Sequence, residues 1–122
     1  ARIIVDLYQR SVEAWERGVL VSEGIIVSGS DETPTPAGSF FVTEVQEYSD
    51  PGSGNTTWLI GTSAYSESLD ATEDGDPAVA ILGIDDPRDL GEAISQGCIR
   101  VPFGVLERLS RLPLGTPVQI LG

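Results

Sequence analysis

"AVAILGIDDPRDLGEAISQGCIRVP", residues 78–102, carries the most specific text in this chain. It opens on a wholly apolar run, residues 78–84, of the kind that suits a strand buried on both faces. Asp86 and Pro87 then supply helix-start chemistry ahead of Leu90, Ala93 and Ile94, so a short helix is expected there. "CIRV" reads as a short strand stopped by Pro102. At its head stands Cys98, the only cysteine, with Gly97 before it and Arg100 two residues beyond. Strand alternation puts Cys98 and Arg100 on one face.

Downstream, Val105, Leu106 and Leu109 recur at helical spacing, with Arg108 and Arg111 late in the segment, where cations favour the negative end of a helix. Pro113 stops that helix, and "GTPVQIL" makes a closing strand. Upstream the chain reads as strands. "RIIVDLYQ" and "SVEAWERG" form the simplest hairpin, the second run stopping at Gly18, and "VLVSEGIIVSG" is a third run in which Gly24 implies a bulge or a close backbone approach. Pro34 and Pro36 exclude a central strand from "SDETPTPAGSFFV" until "SFFVTEVQEY" resumes one. "SDPGSGNTT" is a loop leading to the short apolar run "WLIG", and residues 63–77 are polar and acidic. The sum is a mainly β fold: a single-domain sandwich or barrel of mixed sheets, with two short helices in the C-terminal half. Residues 1–122 are expected to form one domain of a longer chain.

Composition narrows the function. A chain of 122 residues buries about two thirds of its unfolded surface, so it needs no disulfide or metal to hold a core. Nineteen Asp and Glu face seven basic residues, all Arg, for a net charge of −12. With no basic stripe to meet phosphates, nucleic acid is not an expected partner, and the same repulsion disfavours anionic membrane surfaces. No apolar run reaches 18 residues, so no membrane insertion is expected within this segment. Asp70, Glu73, Asp74 and Asp76 crowd together, but their spacing is not that of a calcium-binding loop, and they read as a solvated loop. No metal or other cofactor is expected.

The chemistry gathers at Cys98. Gly97 lets a substrate approach the sulfur and the adjacent N–H groups, and two such donors can form an oxyanion hole for acyl transfer. A cation at Arg100 can favour a thiolate or hold a substrate carboxylate. The plainer reading is that Cys98 is a small buried hydrophobe. The chain contains no histidine, so no imidazole is available to take a thiol proton.

"SQGCIRVP", preceded by "AILGIDDPRDLGEAI" and followed by a short helix and "GTPVQI", resembles the L,D-transpeptidase catalytic domain of bacterial cell-wall enzymes. There the family writes a His-Gly pair, then Asp-Pro, a Leu-Gly helix and Ser-His-Gly-Cys-hydrophobic-Arg. The likeness extends through "IIVDLYQRSVEAWERGVLV" and "VSGSDETPTPAGSFFV", and so covers almost the whole chain. It implies a cysteine acyltransferase of the cell envelope or a secreted protein, outside the cytoplasm, whose partner is a peptidoglycan stem peptide or another cell-wall component. By position, Cys98 is the nucleophile, Gly97 and Cys98 supply backbone oxyanion donors, and Ser95, Gln96 and Arg100 shape the substrate pocket.

Two positions depart from that pattern. Gln96 replaces the histidine just before the Gly-Cys pair, a change that some active relatives share. The general-base histidine maps sixteen residues before Cys98 onto Leu82, with Gly83 confirming the register, and Ile84 stands where the family often has threonine. A positioned base contributes about 10²- to 10⁴-fold in rate, and leucine accepts no proton. Asp85 or Asp86 would be a poor substitute, since a carboxylate is a weak base for a thiol and its charge opposes the thiolate. Turnover is therefore expected to be lost or impaired. The alternatives are an active enzyme with an unusual or substrate-supplied base, a working enzyme in which Leu82 replaced the histidine, and a non-catalytic interaction or assembly module.

Overall fold

Burial alternates along the N-terminal run: in the computed structural model Ile3 and Val5 of strand β1 (Arg2–Asp6) are fully buried, and Ile4 between them is half-buried. The structure describes residues 1–29, 34–49, 52, 54–65, 78–84, 87–95 and 98–122. Strand β2 (Ser11–Glu16) pairs antiparallel with β1, and Arg17-Gly18 then turns the chain with both residues at positive φ, 53° and 77°, into β3 (Val19–Ile25). A two-residue turn of that hand matches the natural twist of a hairpin. The short β4 (Ser28–Gly29) leads to the long β5 (Gly38–Ser49) and β6 (Thr56–Tyr65). There follow β7 (Ala78–Gly83), β8 (Ala93–Ser95), β9 (Ile99–Val101), the helix α1 (Phe103–Ser110) and β10 (Pro117–Leu121).

Eight strands make one sheet in the order β3-β2-β1-β10-β5-β6-β7-β9, and β4 pairs with β8 in a small second sheet. β1 with β10 and β7 with β9 are parallel, the other neighbours in the large sheet antiparallel, so the sheet is mixed as expected. It curls almost into a barrel. Its two ends meet where Val27, just past β3, exchanges backbone hydrogen bonds of 2.9 Å in both directions with Arg100 of β9.

The barrel interior is filled by alternate residues of the strands and by α1, whose Val105, Leu106 and Leu109 are buried at the predicted helical spacing. Each such side chain contributes about 1.5–3 kcal/mol when taken fully out of water. Gly24 has the close approach expected of it: a Cβ there would sit 3.0 Å from Cγ2 of Val105, so any larger residue would press α1 away from β3 by a few tenths of an ångström. No described helix is long and apolar enough to cross a membrane.

Three local expectations are corrected. The run 78–84 is not buried on both faces; Val79 and Ile81 enter the core while Ala80 and Leu82 are half-buried on the other side. Being uniformly apolar, it hides the period of two that its position imposes. The helix expected after Asp86 is a single 3₁₀ turn, Pro87–Asp89. Gly91 at φ +86° ends it, and the chain turns into tertiary hydrogen bonds, Gly91 N–H to Ile26 O at 2.9 Å and Ser28 N–H to Glu92 O at 3.2 Å. Finally β6 runs beyond "WLIG" to Tyr65, because Thr62, placed in the buried face, donates its hydroxyl to Val79 O at 2.6 Å and continues the strand pairing.

Candidate active site

Two adjacent parallel strands build the site. β7 and β9 are in register as Ile81 with Ile99, Leu82 with Arg100, and Gly83 with Val101. Since Ile81, Ile99 and Val101 are buried in the core, alternation turns Leu82 and Arg100 to the opposite face, where both are half-buried. The Arg100 guanidinium donates from Nη1 to the Gly83 carbonyl at 3.0 Å, which lays the cation along the end of β7. Its backbone is held on the other side by Val27, so Arg100 is fixed from both neighbours.

On this face Leu82, Gly83, Ile84 and Arg100 meet Tyr48, Thr57 and Phe103 around a cavity of about 280 Å³. Tyr48 and Thr57 are cross-strand partners in β5 and β6, and so share a face. Thr57 and Phe103 also line a second cavity, of about 450 Å³, with Trp58 and Glu107. Sequence reasoning does not single out Tyr48, Thr57 or Phe103. Tyr48 and Thr57 reach this site only through the pairing of β5 with β6, and Phe103 through the start of α1.

Cys98 stands one residue before β9, half-buried and packed against the edge of the hydrophobic core. It does not line the cavity that Leu82 and Arg100 share. Continued back from β9, the parallel register would set Cys98 beside Ala80, one diagonal step from Leu82. Diagonal neighbours lie about 7–8 Å apart, within reach of a long side chain. A leucine in that place presents hydrocarbon, and the structure offers no imidazole anywhere, since the chain has none.

Upstream of the cysteine, β8 pairs with β4, Gly29 standing against Ser95. The Gly29 N–H donates to the buried Thr35 hydroxyl at 2.9 Å, so the threonine-proline loop anchors the strand against which Ser95 lies. Ser95 is thus placed by its backbone. Gln96 and Gly97, Asp85 and Asp86, and the acidic stretch 66–77 lie outside the described residues.

Comparison with known proteins identifies the family and the fold. Residues 1–120 match the YkuD family, the L,D-transpeptidase catalytic domain. The YkuD protein of Bacillus licheniformis, named as an L,D-transpeptidase, is 36% identical over 120 residues, which is 98% of this chain and 64% of that protein. Among solved structures, a cysteine-to-serine mutant of the Enterococcus faecium L,D-transpeptidase is similar, with a TM-score of 0.70 and 25% identity over 98% of this chain and 49% of that one. The catalytic domain of the E. faecium enzyme acylated by ertapenem gives a TM-score of 0.63 and 27% identity, over 98% of this chain and 95% of that one. The chain therefore spans somewhat under two thirds of the curated relative and about half of the longer structure. A family match over nearly every residue, with the same fold in the solved relatives, makes this chain a member of the L,D-transpeptidase catalytic-domain family.

Proposed function

We propose that this chain is an L,D-transpeptidase-like domain of the bacterial cell envelope, acting outside the cytoplasm on peptidoglycan as one domain of a longer protein, with turnover impaired at Leu82. Cys98 is the nucleophile, aided by the Gly97 and Cys98 backbone N–H groups as oxyanion donors. Ser95, Gln96 and Arg100 border the stem peptide. The observation that carries the impairment is the pairing of Leu82 with Arg100, on the strand beside the one that Cys98 leads, in a chain without histidine.

The chemistry that remains can be stated step by step. A thiolate at Cys98 would attack a stem-peptide carbonyl and backbone N–H groups would meet the developing oxyanion; the amide C–N bond would then break, the following residue leaving as an amine that takes up a proton, and an amine acceptor would later attack the thioester and release the sulfur as thiolate. Each step is available in this family's frame except the first proton removal. A positioned base contributes about 10²- to 10⁴-fold, so its absence slows acylation rather than forbidding it.

Acylation by a carbapenem, followed by intact mass, tests the proposal. The unaltered chain is expected to gain adduct slowly, and Leu82→His to gain it about 10²- to 10⁴-fold faster. If the unaltered chain is acylated as fast as Leu82→His, the site has its own base and the impairment reading fails. If neither chain reacts, the pocket itself is lost and the domain is a non-catalytic module. Rescue by Leu82→His also fits a working enzyme that lost its histidine through one substitution.

A further inference from the structure

Three consecutive residues hold the chain on both sides of Cys98. Val27 exchanges backbone hydrogen bonds of 2.9 Å in both directions with Arg100, two residues beyond the cysteine. Ser28 pairs with Ala93 and donates its N–H to Glu92 O at 3.2 Å, and Gly29 pairs with Ser95, three residues before the cysteine. Segment 27–29 thus grips β8 and β9 together, and the span between those strands carries the sulfur. At its far end the Gly29 N–H donates to Oγ1 of Thr35 at 2.9 Å, and Thr35 is buried. Pro34 and Pro36 flank this threonine, and neither has an N–H to give. Such a loop is a poor strand partner, so a side-chain hydroxyl takes that place.

We propose that Thr35 is a positioning residue for Cys98: by accepting from Gly29 it fastens segment 27–29, and that segment fixes where the thiolate stands relative to the carbonyl it attacks. Thr35 acts through the backbone. The proline that follows confines it to extended conformations, and its β-branched side chain has few rotamers, so the hydroxyl is held ready at little cost in entropy. A nucleophile displaced by about 1 Å loses about 10²-fold in rate, so a small slackening at Gly29 matters. The barrel is far less sensitive to it. β4 and β8 form a separate two-stranded sheet, while the core is built by the large sheet and α1. Loss of the hydroxyl therefore opens the clamp locally and leaves the barrel folded. The proposal rests on Cys98 being the acylated nucleophile, but the first of its measurements does not.

Thr35→Val keeps the shape and removes the hydroxyl, and Thr35→Ser keeps the hydroxyl. Both are compared with the unaltered chain by native-state amide hydrogen exchange, by carbapenem acylation and by iodoacetamide alkylation of Cys98. In Thr35→Val the amides of Ser28, Gly29 and Arg100 are expected to exchange at least about tenfold faster, with those of β1 and β2 unchanged. Acylation should slow about ten- to a hundredfold. Alkylation, which needs a thiolate but no oriented carbonyl, should not slow. Thr35→Ser should restore all three to within about threefold of the unaltered chain. Faster exchange confined to Gly29 would overturn the proposal, because the clamp would not act as a unit. So would a rise that includes β1 and β2, which would make Thr35 a residue of the fold at large, or a Thr35→Ser variant as impaired as Thr35→Val. Acylation and alkylation slowed together would also overturn it, since the thiol rather than its position would have changed. A chain that takes no carbapenem in any form loses the enzymatic reading alone, and the clamp then stands or falls by the exchange pattern.

Discussion

Gly83 shows how much a single missing carbon controls at this site. An ideal Cβ there would lie 2.7 Å from Cε1 of Phe103 and 3.1 Å from its Cζ, well inside normal contact. The Phe103 ring would have to leave the position in which it closes one side of the cavity. Because the exposed Phe103 ring can swing aside, Gly83→Ala is expected to destabilise by at most about 1 kcal/mol in urea unfolding, below the usual cost of overpacking a closed core. Combined with Phe103→Ala, the added cost should largely vanish, since the two changes share one contact. In the sequence Gly83 served only to fix the register of Leu82. That its carbonyl also accepts from the Arg100 guanidinium, and that it lies under an aromatic ring, is decided by the tertiary fold.

At the scale of elements, α1 is the part that local pattern described best. Its three buried side chains follow a period near 3.6, and that period is written in the chain whatever the surroundings. Leu106, fully buried between the helix and the sheet, should cost about 2–5 kcal/mol when changed to alanine, measured by chemical denaturation. The Glu107–Arg111 pair on the outer face, 2.7 Å long but exposed, should cost under about 0.5 kcal/mol when Glu107 becomes glutamine. A Glu107→Gln loss as large as that of Leu106→Ala would mean that the helix is held by its charges. The segment after Asp86 does not follow its local pattern. There Pro87 and Gly91 leave room for one turn only, and hydrogen bonds to Ile26 and Ser28 decide the path.

At the scale of the whole molecule, the near-closure of the barrel rests on Val27 and Arg100. Their two backbone hydrogen bonds connect the first three strands to the strand that follows the cysteine. Val27→Pro removes one donor and distorts the other bond, and should cost about 3 kcal/mol or more. Hydrogen exchange provides the local check: the Arg100 amide, which donates to Val27 O, should lose protection more than the amides of β1 and β2. Uniform loss across all three strands would show that the seam is no weaker than the rest of the sheet.

The amino-acid sequence alone determined the mainly β character, the C-terminal helix, the family, and the absence of any imidazole to serve Cys98. These are local or compositional properties, carried by periods of two and 3.6 and by residue counts. Tertiary structure alone decided that Leu82 stands against Arg100, that Tyr48 and Thr57 share their cavity, and that Val27 meets β9. Such pairings join segments far apart in the chain, and they are chosen by which faces can be buried together, a condition that no short stretch of sequence expresses.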